Sequence, residues 1–102
     1  MKADKTDRAA DRTSQIKFSL GQTVITPTAM EKLVPHDVAQ AVTRHAQGDW
    51  GDCGAEDKAE NDFALDKHLR LFSVYHDSRG TKFWVITEAD RSVTTILLPE
   101  DY

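Results

Sequence analysis

The chain has 102 residues, 13 of them basic and 17 acidic, so its length supports one domain with a modest core and its formal net charge is −4. This acidic balance argues against a general nucleic-acid binder, which usually carries a basic excess. The chain shows no apolar run near the roughly 20 residues of a membrane span, no apolar signal-peptide core and only one cysteine, so we expect a cytoplasmic protein without a disulfide or a membrane anchor.

The first 14 residues differ in composition from the rest of the chain. Residues 1–14 mix charges of both signs and contain no large apolar side chain after Met1. Such a segment cannot bury enough apolar surface to offset the entropy lost on ordering. The sequence therefore predicts a disordered tail over residues 1–14 and a single α+β domain over residues 15–102. The tail is either a leader without a role or an arm that orders on a partner.

The domain begins with an extended segment and a short helix. Residues 16–26 alternate apolar and polar side chains, which predicts one or two short strands. A short helix then starts either at Pro27 or just after Thr28, and Pro35 ends it. Either Thr26 or Thr28 can cap its N-terminus.

Two more helices are indicated by the spacing of apolar residues. The second helix opens at Asp37 and stops at Gly48, a residue suited to a helix C-terminus. A weak third helix covers residues 56–65, with Phe63 facing inward. The inward stripe of the second helix has i, i+3, i+4, i+7 spacing and consists of Val38, Ala41, Val42 and His45.

The C-terminal third carries the clearest strand pattern. Residues 69–76, 82–88 and 92–99 are rich in β-branched and aromatic side chains and are separated by turn residues. They predict a three-stranded antiparallel meander. Two to three helices should pack on one face of this small antiparallel sheet, while its second face is partly covered or forms an interface.

The segment that precedes the meander is strongly acidic. Residues 49–67 hold seven acidic residues against two lysines. This pattern fits an ordinary solvated helix face, or an acidic surface that docks on a basic protein partner through complementary potential. Trp50, within a glycine-rich loop, is either a core residue or an exposed anchor of the kind found at binding hot spots. The candidate partner-binding residues are Asp49, Trp50, Asp52, Glu56, Asp57 and Glu60.

Metal binding finds little support in the sequence. His45, Asp49 and Cys53 recur at four-residue intervals, but Gly48 and Gly51 interrupt the helix that would align them. Structural zinc sites usually need four ligands from paired Cys or His residues, and no such pairs occur here. We therefore expect no metal and no other cofactor.

Four residues offer an alternative, enzymatic hypothesis. His45, Arg70, Glu88 and Arg91 are the types that could cut RNA, with His or Glu as the base and Arg on the phosphate. Their spacing does not bring them together, and charged residues at strand ends more often form surface ion pairs. A toxin-like RNase or another small phosphate-handling enzyme is thus the alternative to a non-enzymatic protein.

Two segments of the chain resemble a known family. Residues 44–51 contain an RH-x2-GDWG motif, and residues 87–102 contain a TEADRSVTT-x-LLPE motif. Together they resemble a family of small uncharacterised proteins from bacterial plasmids and integrative elements. This chain ends in Glu-Asp-Tyr where the family pattern has Glu-Glu-Tyr. The family pattern also contains an Asn after the first motif and an Arg, Ser and Tyr in the next strand, here Asn61, Arg70, Ser73 and Tyr75.

The resemblance implies a role for the acidic surface. Residence on mobile elements implies plasmid maintenance or the countering of host defence. Combined with the acidic segment, it suggests a non-enzymatic, protein-binding inhibitor of a host defence complex, such as a CRISPR or restriction system. A homodimeric scaffold that uses the second face of the sheet is a further alternative.

Overall fold

The structure is a computed structural model that describes residues 15–102, so the predicted tail over residues 1–14 lies outside the described residues. Helices and strands follow in the order predicted, and the α+β class is confirmed. No helix in the described part of the chain has the length and apolarity needed to cross a membrane. The elements are β1 (Gln22–Ile25), α1 (Pro27–Lys32), α2 (Pro35–Ala46), α3 (Ala55–Lys67), β2 (Leu71–His76), β3 (Lys82–Thr87), β4 (Val93–Leu97) and a 3₁₀ helix (Pro99–Asp101).

The four strands form one sheet with the order β1-β4-β3-β2. The β2-β3-β4 meander is antiparallel as predicted. The expectation of a wholly antiparallel sheet is wrong, because β1 pairs with β4 in parallel, from Gln22 opposite Val93 to Ile25 opposite Ile96. The three helices lie between these two strands in sequence, and a long connection of this kind allows parallel pairing.

Proline fixes the starts of the first two helices. Pro27 occupies the first turn of α1, and the Thr26 hydroxyl accepts the Ala29 N–H at 3.2 Å, so Thr26 is the N-cap. Helix α2 starts at Pro35, two residues earlier than predicted. The fixed φ of proline suits the first helical position, so Pro35 begins α2, whereas α1 ends at Lys32, before the predicted stop at Pro35.

The main core lies between one face of the sheet and helices α1 and α2. Leu33, which follows α1, and Ala41 of α2 pack there with Phe83, Val85 and Ile96 of the sheet, all of them buried. The inward stripe predicted for α2 is confirmed, since Val38 and Val42 pack against this cluster and Ala41 and His45 are buried.

Helix α3 lies along the outer edge of β2. The Asn61 side chain donates to the Phe72 carbonyl at 2.7 Å and accepts the Phe72 N–H at 3.0 Å. Ala64 joins Trp50 and Leu71 in a second, smaller core cluster. Asn61 and Ala64 are the buried residues of α3, whereas Phe63 is 58% exposed, so the predicted inward position of Phe63 is wrong.

Candidate functional site

The residues of the two sequence motifs meet inside the protein, in a network of hydrogen bonds centred on His45. The His45 ring is fully buried, with Nδ1 2.5 Å from the Ser73 hydroxyl and Nε2 2.8 Å from the Thr87 hydroxyl. The Thr87 and Thr94 hydroxyls lie 2.7 Å apart. Thr94 in turn donates to the Leu20 carbonyl at 2.7 Å. We call this set, Ser73, His45, Thr87, Thr94 and the Leu20 carbonyl, the His45 network.

The direction of each hydrogen bond in the His45 network follows from counting protons. Thr94 uses its hydroxyl proton on the Leu20 carbonyl, so it accepts from Thr87. Thr87 therefore has no proton left for His45, and His45 Nε2 must donate to it. Nδ1 then accepts the proton of Ser73. His45 is thus the neutral Nε2–H tautomer, and every ring nitrogen is satisfied.

Burial sets the charge of His45. Loss of solvation, aided by the positive charge of Arg91, lowers the pKa of His45 from 6.5 to about 3. The ring stays neutral at physiological pH and is 0% exposed. A general base must reach the proton that it removes, so His45 is placed as a structural residue and not as a base facing a substrate.

Arg91, the second enzymatic candidate, donates hydrogen bonds to backbone carbonyls. Its Nη1 donates to the carbonyls of Leu69, Glu88 and Ala89 at 2.7, 3.1 and 3.2 Å. Its Nη2 donates to the Ala64 carbonyl at 3.3 Å. The guanidinium therefore ties the end of α3 and the start of β2 to the turn between β3 and β4.

The remaining enzymatic candidates pair with each other at the surface. Arg70 Nε lies 3.6 Å from the Glu88 carboxylate, and both side chains are about half exposed. The Arg70 guanidinium also lies over the Tyr102 ring, 5.7 Å from its centroid. The four enzymatic candidates are therefore divided between a buried network, a set of hydrogen bonds to backbone carbonyls and a surface ion pair, and His45 is buried away from the exposed Arg70–Glu88 pair.

The three spaced metal candidates are likewise kept apart by other contacts. Cys53 Sγ donates to the Trp50 carbonyl at 3.2 Å, and Asp49 accepts from Arg44 at 2.7 Å, while His45 belongs to its own network. Within residues 15–102, no group of three or more His, Cys, Asp or Glu side chains is placed to hold a metal ion.

Trp50 is a core residue. Its side chain is 3% exposed, and its indole N–H donates to Asp62 at 2.9 Å. Its ring lies 5.6 Å from the His45 ring and 6.3 Å from the Phe18 ring. The hypothesis that Trp50 is an exposed anchor for a partner is therefore wrong, because the loop turns the indole inward against these rings.

The loop that holds Trp50 also pairs with the edge of the sheet. Val74 donates to the Trp50 carbonyl at 3.2 Å, and its own carbonyl accepts from Asp52 N–H at 2.6 Å. Gly51 lies between them with φ of 76°, and a Cβ there would approach the Val74 oxygen to 2.1 Å. Only glycine fits this close contact.

The acidic candidates fall into two groups. Asp49 pairs with Arg44 at 2.7 Å, and this hydrogen bond holds the pKa of Asp49 below its ordinary value. Asp52 lies 2.8 Å from His76 Nδ1. Within residues 15–102, the remaining three make no ion pair, and their side chains are exposed. These three residues, Glu56, Asp57 and Glu60, are called the acidic rim below.

The acidic rim borders a groove between α3 and β2, which we call the α3 groove. Its volume is about 970 Å³. Phe72 and Val74, both partly buried, are among its lining residues, as are Phe63 and Leu69, which are 58% and 47% exposed. Arg70 is the basic lining residue, and it pairs with Glu88. The groove therefore combines apolar walls with a negative rim that forms no ion pair within residues 15–102.

Comparison with protein-family models, with curated proteins and with solved structures finds no significant match to this chain. The case for a function therefore rests on the geometry of the α3 groove and on its charge.

The sequence predicts the three residues of the acidic rim but not the apolar walls of the groove. A signal for one wall exists, since Phe63 stands between Asp62 and Asp66 in a helix with few large apolar residues. An aromatic residue in such surroundings is a candidate for an exposed contact. Leu69 and Phe72 carry no such signal, because their exposure depends on where α3 lies relative to β2.

Proposed function

We propose that this protein is a non-enzymatic, protein-binding protein that recognises a basic surface of its partner through the acidic rim of α3. The observation that carries the proposal is the α3 groove, in which exposed apolar side chains stand beside three carboxylates without ion-pair partners in residues 15–102. Exposed apolar surface bordered by charge is typical of protein interaction sites. Complementary charge then steers and orients the association.

The positions of the enzymatic candidates favour binding over catalysis. His45 is buried and Arg91 is held by four carbonyls. Arg70 and Glu88 neutralise each other. An RNase that relied on these groups would need all of them exposed to one phosphate, which would require His45 and Arg91 to leave their present contacts. A protein-binding role requires no such rearrangement.

The family resemblance supports a more specific proposal about the partner. Proteins that handle nucleic acid carry basic surfaces for the phosphate backbone. An acidic helix that covers such a surface would block access of nucleic acid. We therefore propose that the partner is a basic component of a host defence complex and that the protein inhibits it by occupying its nucleic-acid surface.

An affinity-capture experiment tests the proposal. The tagged protein is compared with a triple variant of the acidic rim, Glu56→Lys, Asp57→Lys and Glu60→Lys, in extracts of a bacterial host. The matched control reverses three exposed acids elsewhere and changes the net charge equally: Glu31→Lys, Asp66→Lys and Glu100→Lys. We expect basic nucleic-acid-handling proteins to be captured by the wild type and the control but not by the rim variant. Equal capture by all three would contradict the proposal.

Dimerisation through the second face of the sheet is the other candidate, and one observation favours it. Trp84 on this face lies 4.8 Å from the Phe72 ring and 5.6 Å from the Tyr102 ring, and Tyr102 is 69% exposed. A dimer would bury this aromatic cluster, and because Phe72 also lines the α3 groove, such a dimer and a partner bound in the groove exclude each other. Light scattering at low micromolar concentration tests it, since a monomeric mass would contradict dimerisation through this face.

A further inference from the structure

The edge of β2 beside the α3 groove cannot accept an added strand. Asn61 already holds the N–H and the carbonyl of Phe72, at 3.0 and 2.7 Å. Trp50 and Asp52 hold the N–H and the carbonyl of Val74. Recognition by strand addition needs these outward groups. A partner in the groove must therefore be recognised through side chains.

The walls of the groove favour an occupant with large apolar side chains. Phe63 and Leu69 are 58% and 47% exposed, and the partly buried Phe72 and Val74 lie beside them. Covering such surface is the main favourable term in most protein associations. An occupant that bound only through charged side chains would leave these apolar walls in contact with water.

The rim sets the charge of the occupant. Glu56 and Glu60 are one turn apart and so lie on the same side of α3, with Asp57 next to them. Basic side chains are favoured there, and an anionic polymer such as nucleic acid is disfavoured. At the other side of the groove, Arg70 is neutralised by Glu88.

The length of α3 sets the length of the occupant. Its 13 residues span about 20 Å, which matches about three and a half turns of a second helix. We infer that the α3 groove binds an amphipathic, basic helix of the partner, with apolar side chains against Phe63, Leu69 and Phe72 and with Lys or Arg toward the acidic rim. This inference rests on the proposed function and adds the mode of binding and the kind of segment recognised.

Segments of the chain itself fit the groove poorly. A second copy would bring its own acidic α3 toward the rim, and like charges across an interface are disfavoured. Residues 1–14 contain no large apolar side chain after Met1 and so offer no anchor for the walls. The occupant is therefore expected to come from another protein.

Three synthetic peptides of about 14 residues test the inference by fluorescence anisotropy. The first is a Leu/Lys helix with leucine on one face, the second replaces lysine with glutamate, and the third replaces leucine with serine. We expect the Leu/Lys peptide to bind at least about tenfold more tightly than the other two. Phe63→Ser and Glu60→Lys should each weaken its binding at least about fivefold. The matched controls Met30→Ser and Glu31→Lys, at exposed positions on α1, should leave binding unchanged.

The outcomes separate this inference from the proposed function. Equal binding of the Lys/Ser and Leu/Lys peptides, or no effect of Phe63→Ser, would overturn the groove inference while leaving recognition by the acidic rim intact. Failure of the rim variant to alter capture from host extracts would overturn the proposed function itself. Changes in amide chemical shift on peptide binding, measured in ¹⁵N NMR spectra, give a second readout. Changes confined to residues outside 53–74 would also contradict the groove inference.

Discussion

The His45 network and the α3 groove both contain polar residues of the same short domain. They differ in whether those polar groups have bonding partners within the protein. In the network, each ring nitrogen of His45 has a partner, and the ring is fully buried. In the groove, the three rim carboxylates are exposed and lack ion-pair partners within residues 15–102. A buried polar cluster whose hydrogen bonds are all made internally stabilises the fold. Exposed carboxylates that lack ion pairs and lie beside apolar surface are available to bind another protein.

This comparison also explains what the two sequence motifs contribute. Three motif residues, His45, Thr87 and Thr94, join α2 to β3 and β4 through the network. Trp50 and Gly51 close the edge of β2 from the glycine-rich loop. The motifs therefore specify the assembly of the fold, and the surface proposed for binding lies largely outside them.

The largest effect is expected from removing the centre of the network. His45→Ala leaves a cavity and removes a partner from both Ser73 and Thr87. The free energy of unfolding should fall by about 3–4 kcal/mol, measured by urea denaturation. The control His36→Ala removes an exposed imidazole and should change it by less than about 0.5 kcal/mol. Equal effects of the two substitutions would contradict a structural role for His45.

A smaller loss is expected at the edge of the sheet. Asn61→Ala leaves the N–H and the carbonyl of Phe72 without their partner. The cost should be about 2–3 kcal/mol, with faster hydrogen exchange at the Phe72 amide. Gln40→Ala, at an exposed position on α2, is the control and should leave both quantities nearly unchanged. Slow exchange at Phe72 in the Asn61 variant would show that another group protects this edge.

The charge of His45 makes stability depend on pH. The pKa of His45 is about 3 in the folded protein and 6.5 in an unfolded chain, so only the unfolded state binds the proton between these values. The stabilisation of the folded state by neutral His45 is fully present above pH 6.5. Below that pH, the free energy of unfolding falls by about 1.4 kcal/mol per pH unit as the pH drops toward 3. Urea denaturation at pH 7, 6 and 5 measures this slope. A ring that titrates between pH 6 and 7 in NMR spectra of the folded protein would contradict it.

Charge reversal at the acidic rim should change stability little. Glu56 and Asp57 lie in the first turn of α3, where negative charge favours the helix. Replacing each with lysine should cost about 0.3–1 kcal/mol, far less than loss of His45. Thermal unfolding followed by circular dichroism measures this cost. A collapse of the fold would show that the rim is structural.

The fold was predictable where local pattern decides it. Alternating residues located β2, β3 and β4, and the spacing of Val38, Ala41 and His45 located the buried face of α2. The direction of β1 was not predictable, because four residues carry no information about which strand they join. The burial of Trp50 is not predictable for a similar reason, since a glycine-rich loop has no periodicity to assign an inward side.

The candidate site was predictable only in its charge. Glu56, Asp57 and Glu60 follow from composition, but Phe63 was placed inward because helical spacing alone cannot choose between the two sides of α3. Asn61 decides the choice by bonding to Phe72, a contact between α3 and β2. The apolar walls of the groove depend on this packing and cannot be inferred from either segment alone.

The contrast between the two regions is tested most directly by binding of the Leu/Lys peptide to Phe63→Ser, with unfolding measured on the same samples. We expect an affinity at least about fivefold weaker than that of the wild type, with a free energy of unfolding within about 0.5 kcal/mol of the wild-type value. Undiminished affinity, or a loss of affinity that follows a loss of folded protein, would show that Phe63 does not form a binding wall of the α3 groove.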